Sequence, residues 1–538
     1  MSGDGAQART GLPPFRARWA ALLALAGGAL GAMAFPALGW WPLAFVSVAL
    51  LSVAVHGRRS RTGAWIGFVY GAAFFGPLLH WTGVYVGPVP WLILAAAEAG
   101  FLAALGAVLP LVQRLRFAPL WVASAWVLQE ALRDRLPFGG FPWGRLAFSQ
   151  STSPLRWFAR AGGAPLVTFA VALSAAALWW AADRIRADSR GGRRLAALGL
   201  LVALAAPVAG WITDAAASSL APPSNRPKLT VALIQGSVPD RGLAFEDRAR
   251  QVLDNHIAET LTLAADIDAG RAARPDLVIW PENASDVDPF VDATAYREID
   301  ATVKRIGVPV LVGAILQGPG ADHRRNAGIL WSPTSGPGAQ YIKRHPVPFG
   351  EYIPLRSIAK VVSSAVNLVP QDMVAGSGNG LLTGGPVPIG DVICFEVAYD
   401  GLVRSSVSAG AQLLVVQTNN ATFGHTAETY QQLAMSRLRA VETGRTVLQA
   451  ATTGKSAIID YEGRVVAESG ALFTPAVLEA SVQPSTHKTL AVRVGSVPEY
   501  VLAAFALGGI LYSAVPLRRR RDRTAQDARH DEEEMVTT

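Results

Sequence analysis

Three side chains in the second half of the chain are of the types that attack and stabilise carbonyl compounds. Cys394 is the only cysteine in 538 residues and closes the apolar run of "GDVICFEVAYDG". Glu282 follows another apolar run in "VIWPENAS". Lys343 opens the Pro-rich "YIKRHPVPFGEYIP", which also holds Glu351. A thiolate attacks a carbonyl and carries the acyl group as a thioester. A nearby glutamate can take the thiol proton and return it to the leaving group. An ammonium placed where the carbonyl oxygen gains charge is worth about 3–4 kcal/mol. Arginine is the usual cation of this chain, so a lysine at such a point is informative.

Taken singly, each residue has a plainer reading. A strand-borne cysteine is more often a small buried hydrophobe. A strand-end glutamate is usually solvated, and a loop lysine is usually a surface charge. Spacing alone does not bring the three together.

The elements that would have to do so are short β-branched runs. They are Leu229–Gln235, Asp276–Glu282, Val308–Leu316 and Gln412–Asn420. Helical patterns at Phe245–Ile267 and Ala427–Arg445 alternate with them. Strands alternating with helices predict a layered α/β fold, in which strand ends present side chains to a site. "LAPPSNRPK" (Leu220–Lys228) reads as the linker into it.

The preceding residues are of a different kind. Overall 51% of residues are hydrophobic and 16% charged, against about 25% charged in soluble domains, and the shortfall is concentrated in residues 19–225. Seven apolar segments lie there: Trp19–Phe35, Trp41–Val55, Thr62–Trp81, Pro90–Val112, Phe117–Leu132, Ala164–Ala182 and Leu195–Ile212. An eighth is Tyr500–Leu517. A bilayer span takes about 20 mostly apolar residues, so this reads as about eight membrane helices. The net charge of +8 comes from arginine clusters at helix ends rather than from a nucleic-acid surface. Arg16, Arg18, Arg58, Arg59, Arg61, Arg114, Arg116, Arg184, Arg186, Arg190, Arg193, Arg194 and the arginines of "RRRRDR" (Arg518–Arg523) share one face if the helices alternate. That face is the cytoplasm by the positive-inside rule, which places the α/β segment outside. The arginines after the fifth segment (Arg133, Arg135, Arg145, Arg156, Arg160) break the pattern. One cysteine excludes an internal disulfide, and no Cys/His cluster suggests a structural metal.

"WPEN", "KRHPVPFGEYIP" and "GDVICFEVAY" occur in the order and context of the nitrilase superfamily, whose Glu-Lys-Cys triad they resemble. Joined to seven helices before and one after, the chain resembles the apolipoprotein N-acyltransferase family. "WVLQEALRDRLPFGGFPWGRLAFSQ" (Trp126–Gln150), "LIQGSVP" (Leu233–Pro239) and "SRLRAVETGRTVLQAATTGKSAIID" add to that resemblance. It implies an αββα sandwich outside the cytoplasmic membrane, with Glu282 as base, Lys343 as stabilising cation and Cys394 as nucleophile. By position, Glu351 and Glu396 match further acidic residues of the family's site. Glu351 would hold Lys343 or share proton transfer, and Glu396 would support the loop beside Cys394. Two departures stand out. Many members have tyrosine where this chain has Phe395, and "TNDAWFG" where it has Asn420 and Thr422.

The expected organisation is a cytoplasmic segment 1–18, seven helices within 19–219, a linker 220–228, a catalytic domain 229–487, an eighth helix at 497–517, and a basic then acidic tail 518–538. The implied reaction moves a fatty acyl group from a phospholipid to Cys394, then to the α-amine of a lipoprotein's diacylglyceryl cysteine. The implied partners are the two substrates and the bilayer, with no cofactor, no metal and no nucleic acid, and the chain is expected to be a monomer of the bacterial inner membrane. One rival is a membrane-anchored amidase that uses water as acceptor. Another is a transporter working through Glu98 or Glu130, acids in or near apolar spans. Glu130 could also be a helix-end partner of Arg133. His80 and Trp81 read as interfacial anchors, and "FGGFPW" (Phe138–Trp143) as a lipid entrance or a re-entrant turn. "TTGKSAI" lacks the earlier glycine of a phosphate-binding loop, with Gln449 in its place.

Overall fold

The computed structural model describes residues 16–186, 190–217, 226–238 and 245–514. The tail 518–538, residues 1–15, most of the linker and Pro239 lie outside the described residues.

Helices form at all seven N-terminal apolar segments: Ala17–Met33, Leu43–Val55, Ser60–Leu78, Pro88–Val112, Ala118–Arg133, Ala159–Arg186 and Arg190–Ala215. Small residues let them touch at the backbone. A Cβ on Gly67 would lie 2.2 Å from the Leu102 carbonyl oxygen, and one on Gly63 would lie 2.1 Å from that of Gly106. Glycine is therefore required where Ser60–Leu78 crosses Pro88–Val112. Among the described residues, four helices are long and apolar enough to cross a membrane: Pro88–Val112, Pro154–Arg186, Gly191–Ala215 and Val497–Ala514. Ala17–Met33 and Leu43–Val55 are apolar but shorter.

The arginines that broke the charge pattern have structural partners. Arg133 is buried and donates to Glu98 at 3.0 Å. Arg145 is buried between Asp400 at 2.9 Å and Asp134 at 3.2 Å. Arg135 pairs with Glu499, and Arg156 with Asp214. A buried, paired arginine reports packing and not the side of a membrane.

The α/β part holds two stacked sheets. Strands β1 (Leu229–Gln235), β2 (Leu277–Ile279), β3 (Val310–Gln317), β4 (His323–Ser332), β5 (Gly336–Ile342) and β6 (Asp372–Met373) belong to the first. Strands β7 (Leu381–Leu382), β8 (Ile389–Ile393), β9 (Leu413–Thr418), β10 (Val447–Ala451), β11 (Ala457–Ile459) and β12 (Val465–Glu468) form the second. Strand β13 (Ala476–Val482) returns to pair antiparallel with β1, giving the order β13-β1-β2-β3-β4-β5 with β6 beside β4. The second order is β12-β11-β10-β9-β8-β7, and β8, β9 and β10 run parallel. Leu233, Ile279, Leu311, Ile393, Val415 and Leu448 fill the space between the sheets. The parallel strands are buried along their whole length, as sheets covered on both faces must be.

Helices Phe245–Asp268 and Ala293–Ile306 cover the outer face of the first sheet through Leu253, Leu263, Ile299 and Val303. Asp292 caps the latter, accepting from the Thr294 and Ala295 amides at 2.7 and 2.9 Å, and Gly307 ends it at φ +76°. Helices Asp400–Ala409 and Glu428–Thr443 cover the second sheet. The layers therefore run αββα. The apolar core outside the second sheet is continuous with that of the helix bundle, joining Leu438 and Phe395 to Trp126 and Trp143.

Candidate active site

Strand β8 delivers Cys394 to the rim of the second sheet. The chain turns sharply there into the short helix Cys394–Ala398, and Cys394 takes a φ of +54°. A side chain in that region costs about 1–3 kcal/mol and persists only where its surroundings enforce it. Glu396 enforces it. Its fully buried carboxylate accepts from the Ile393 amide at 2.9 Å, the Arg344 amide at 2.6 Å, the His345 amide at 3.1 Å and the Tyr341 hydroxyl at 2.9 Å. One side chain thus ties the cysteine turn to the loop that carries Lys343. Burial raises the Glu396 carboxyl from its ordinary value, and these donors oppose that rise.

Lys343 follows β5 and is 1% exposed. Its ammonium donates to Glu282 Oε1 at 3.1 Å and to Glu351 Oε1 at 2.8 Å. Asn326 on β4 braces the same two carboxylates, its Nδ2 lying 2.6 Å from Glu282 and 3.2 Å from Glu351. Glu282 Oε2 accepts from the Asn419 amide at 2.8 Å, and Glu351 Oε2 from the Val347 amide at 2.7 Å. Burial alone would push the Lys343 pKa down, but Glu282, Glu351 and Cys394 hold it well above the usual lysine range. The lysine is a fixed cation.

The sulfur sits beside this cluster. Thr418, next to the residue whose amide binds Glu282, places its hydroxyl 3.4 Å from Sγ. Gln432 Nε2 is 3.7 Å from Sγ. Burial and then the Glu282 charge push the thiol above its ordinary value, with Lys343 pulling it back. The resting group is therefore a thiol that needs a base at the moment of attack. The structure brings Glu282, Lys343, Glu351, Cys394 and Glu396 into one neighbourhood. Asn326, Thr418 and Gln432 join them, and nothing in their local sequence marked Asn326. Among the described residues no cluster of His, Cys, Asp and Glu suits a metal ion.

Residues 27–177 match the apolipoprotein N-acyltransferase N-terminal domain, and residues 230–491 match the carbon-nitrogen hydrolase domain. An apolipoprotein N-acyltransferase of Mycolicibacterium smegmatis is 40% identical over 94% of this chain and 88% of its own length. The chain belongs to the apolipoprotein N-acyltransferase family. Relatives of the same name from Azotobacter vinelandii and Methylococcus capsulatus are each 32% identical, covering 94% and 95% of this chain and 96% and 99% of their own. A solved amidase of the nitrilase superfamily from Nesterenkonia covers 50% of this chain and 95% of its own at 18% identity, with a TM-score of 0.37, too low to weigh in the assignment.

Within this N-acyltransferase fold, the aromatic loop of the helix bundle meets the cysteine turn. Phe141 and Trp143 stack on Phe395, with centroids 5.5 and 5.9 Å apart. Trp81 is buried against Trp143 and Phe423, so it joins the two halves of the chain instead of anchoring at an interface. His80 is exposed beside Trp91. Glu130 is buried and accepts from the Leu146 amide and the Thr168 hydroxyl, while Arg133 turns to Glu98. Lys455 of "TTGKSAI" donates to the carbonyls of Ser469 and Gly470. A cavity of about 460 Å³ lies behind the cysteine turn, lined by Arg135, Arg145, Arg344, Tyr399 and Tyr500. Glu282, Lys343 and Cys394 do not line it.

Proposed function

We propose that this protein moves a fatty acyl group from a membrane phospholipid to the α-amine of a lipoprotein's N-terminal diacylglyceryl cysteine. The carrying observation is the buried Lys343 ammonium held between Glu282 and Glu351 beside a strained, half-buried Cys394, in a chain 40% identical to an apolipoprotein N-acyltransferase. Cys394 attacks the ester carbonyl as its proton passes to Glu282. A carbon–sulfur bond forms, the bond between the acyl carbon and the glycerol oxygen breaks, and Glu282 returns the proton to the leaving alcohol. Lys343 faces the carbonyl oxygen as charge develops there. The lipoprotein amine then attacks the thioester, forming the amide while sulfur leaves. Glu282 takes the amine proton and gives it to the sulfur. Glu351 fixes Lys343, and Glu396 fixes the cysteine turn.

In this reading all eight apolar segments cross the cytoplasmic membrane, and the α/β domain (229–487) lies outside it. The arginines at Arg58, Arg59, Arg61, Arg114 and Arg116 support that side. Exposed Phe349, Leu355, Ile358, Val361 and Leu368, beside exposed Phe138, give the site an apolar rim suited to lipid. A site at the bilayer surface avoids drawing acyl chains into water at about 0.8 kcal/mol per CH₂. The enzyme works as a monomer without cofactor.

The test is purified protein in phospholipid with a diacylated lipopeptide that has a free N-terminus. N-acylated peptide and lysophospholipid are the expected products, and Cys394→Ala yields neither. Without acceptor, intact mass shows an acyl adduct on Cys394. Release of free fatty acid with no acylated peptide would overturn the acceptor assignment in favour of a hydrolase.

A further inference from the structure

Behind the sulfur, away from Lys343, lies a second polar chain that the proposed reaction does not use. Gln432 Oε1 accepts from Asn420 Nδ2 at 2.9 Å and from the Thr418 hydroxyl at 2.9 Å. Asn420 Nδ2 also donates to Glu428 Oε2 at 2.7 Å. All four side chains are at least 98% buried. The site is built around Asn420. A Cβ on Gly454 would meet Asn420 Oδ1 at 2.3 Å and the Thr429 hydroxyl at 2.6 Å, which is why "TTGKS" keeps its glycine.

An amide has a donor end and an acceptor end, and its neighbours decide which way it faces. Three acceptors, from Thr418, Glu428 and Gln432, surround the Asn420 nitrogen. The carboxyl of Glu428 therefore fixes Asn420, Asn420 fixes the oxygen of Gln432, and Gln432 is left with its Nε2 facing Cys394 Sγ at 3.7 Å. An acceptor at one end of the chain dictates a donor at the other. A donor there favours the thiolate. Burial, opposed by the Asn420 hydrogen bond and aided by the Glu282 charge, pushes Glu428 up to about 8, so it accepts from Asn420 in a largely neutral form.

We propose that Glu428 is a positioning residue for the nucleophile: through Asn420 it holds Gln432 with its amide nitrogen toward the Cys394 sulfur. This rests on Cys394 being the reacting group. The charged and titratable groups facing the network are Glu282 and Lys343 beyond the sulfur, and Cys394 itself, whose thiol a charged Glu428 would push up against the effect of the amide.

The test uses the full chain in detergent and the variants Glu428→Met, Glu428→Gln, Gln432→Met and the double Met variant. The readouts are the pH profile of Cys394 alkylation by iodoacetamide and the rate of acyl-thioester formation without acceptor. Glu428→Met is expected to move the profile up by about one pH unit and slow thioester formation about tenfold, with the phospholipid KM unchanged. Glu428→Gln, which can still accept from Asn420, recovers most of that loss. On top of Gln432→Met, Glu428→Met adds nothing, because both act through one amide. Loss of a repelling charge would move the profile down, so a downward or absent shift overturns the proposal, as do additive effects in the double variant. Should Glu428→Met not fold, Asn420→Leu removes the same bridging amide and enters the same cycle. The alkylation profile needs no acyl transfer, so failure of the proposed reaction and failure of this network are read separately.

Discussion

The indole of Trp143 lies parallel to the ring of Phe395, with centroids 5.9 Å apart and planes 7° apart. Trp143 belongs to the loop leaving the helix bundle, and Phe395 is the residue after the cysteine. The indole N–H also donates to Gln431 Oε1 at 2.6 Å, on the helix that covers the second sheet. Loss of this buried anchor by Trp143→Ala is expected to cost about 3–5 kcal/mol. Thermal unfolding in detergent should show it, with a fall in thioester formation although Glu282, Lys343 and Cys394 are untouched. Unchanged stability and rate would mean that the bundle does not support the turn.

Glu282 and Lys343 act on the sulfur in opposite directions, and alkylation can separate them. Glu282 raises the thiol pKa and Lys343 lowers it. Glu282→Gln should therefore shift the alkylation profile to lower pH, and Lys343→Met to higher pH, while both lose acyl transfer. Shifts of the same sign in both variants would show that burial change, and not charge, governs the thiol.

Lys343 neutralises one buried and one partly buried carboxylate, Glu282 and Glu351, so its removal leaves them facing each other. Lys343→Met alone is expected to destabilise by about 3–5 kcal/mol. Adding Glu351→Gln removes one of the repelling charges and should recover part of that stability without recovering activity. Urea unfolding of the single and double variants measures the difference. A double variant less stable than Lys343→Met would place the two carboxylates outside one another's field.

Glu428 gives a pH dependence of stability with a defined sign. Its folded pKa of about 8 lies above its ordinary value, because burial disfavours the charged form. The native state then binds the proton more tightly than the unfolded chain. Its stabilising contribution is full below about pH 4.5 and is lost as pH rises toward 8, at up to about 1.4 kcal/mol per pH unit. The Tm of Glu428→Gln relative to the parent should rise between pH 5 and pH 8 and level off above that. Parallel Tm curves would show that the carboxyl titrates as it does in water.

Much of the architecture was legible in the chain itself. Runs such as "LTVALIQ" and "QLLVVQT" became buried strands, and each apolar segment became a helix, because periodicity and burial depend on local composition. Asn326 was not legible. It sits in a β4 run with no unusual pattern, and its role comes from facing Glu282 and Glu351 across the sheet. Arg133 and Arg145 stood outside the charge pattern for a reason the sequence does not show, because it gives a guanidinium but not the buried carboxylate that neutralises it.

The sequence alone determined the reacting types: one thiol, an acid after "VIW", a lone lysine before a Pro-rich loop, and long apolar stretches around them. Only the tertiary structure decided that Lys343 lies between two carboxylates, that Glu396 clamps the Cys394 turn, and that Glu428 reaches the sulfur through two amides. The reason is that hydrogen bonds and ion pairs act over about 3 Å, and the joining pairs, Lys343 with Glu282, Arg344 with Glu396 and Gln432 with Cys394, are separated by tens of residues along the chain. Side-chain type is written locally, whereas its surroundings exist only once the sheets have stacked.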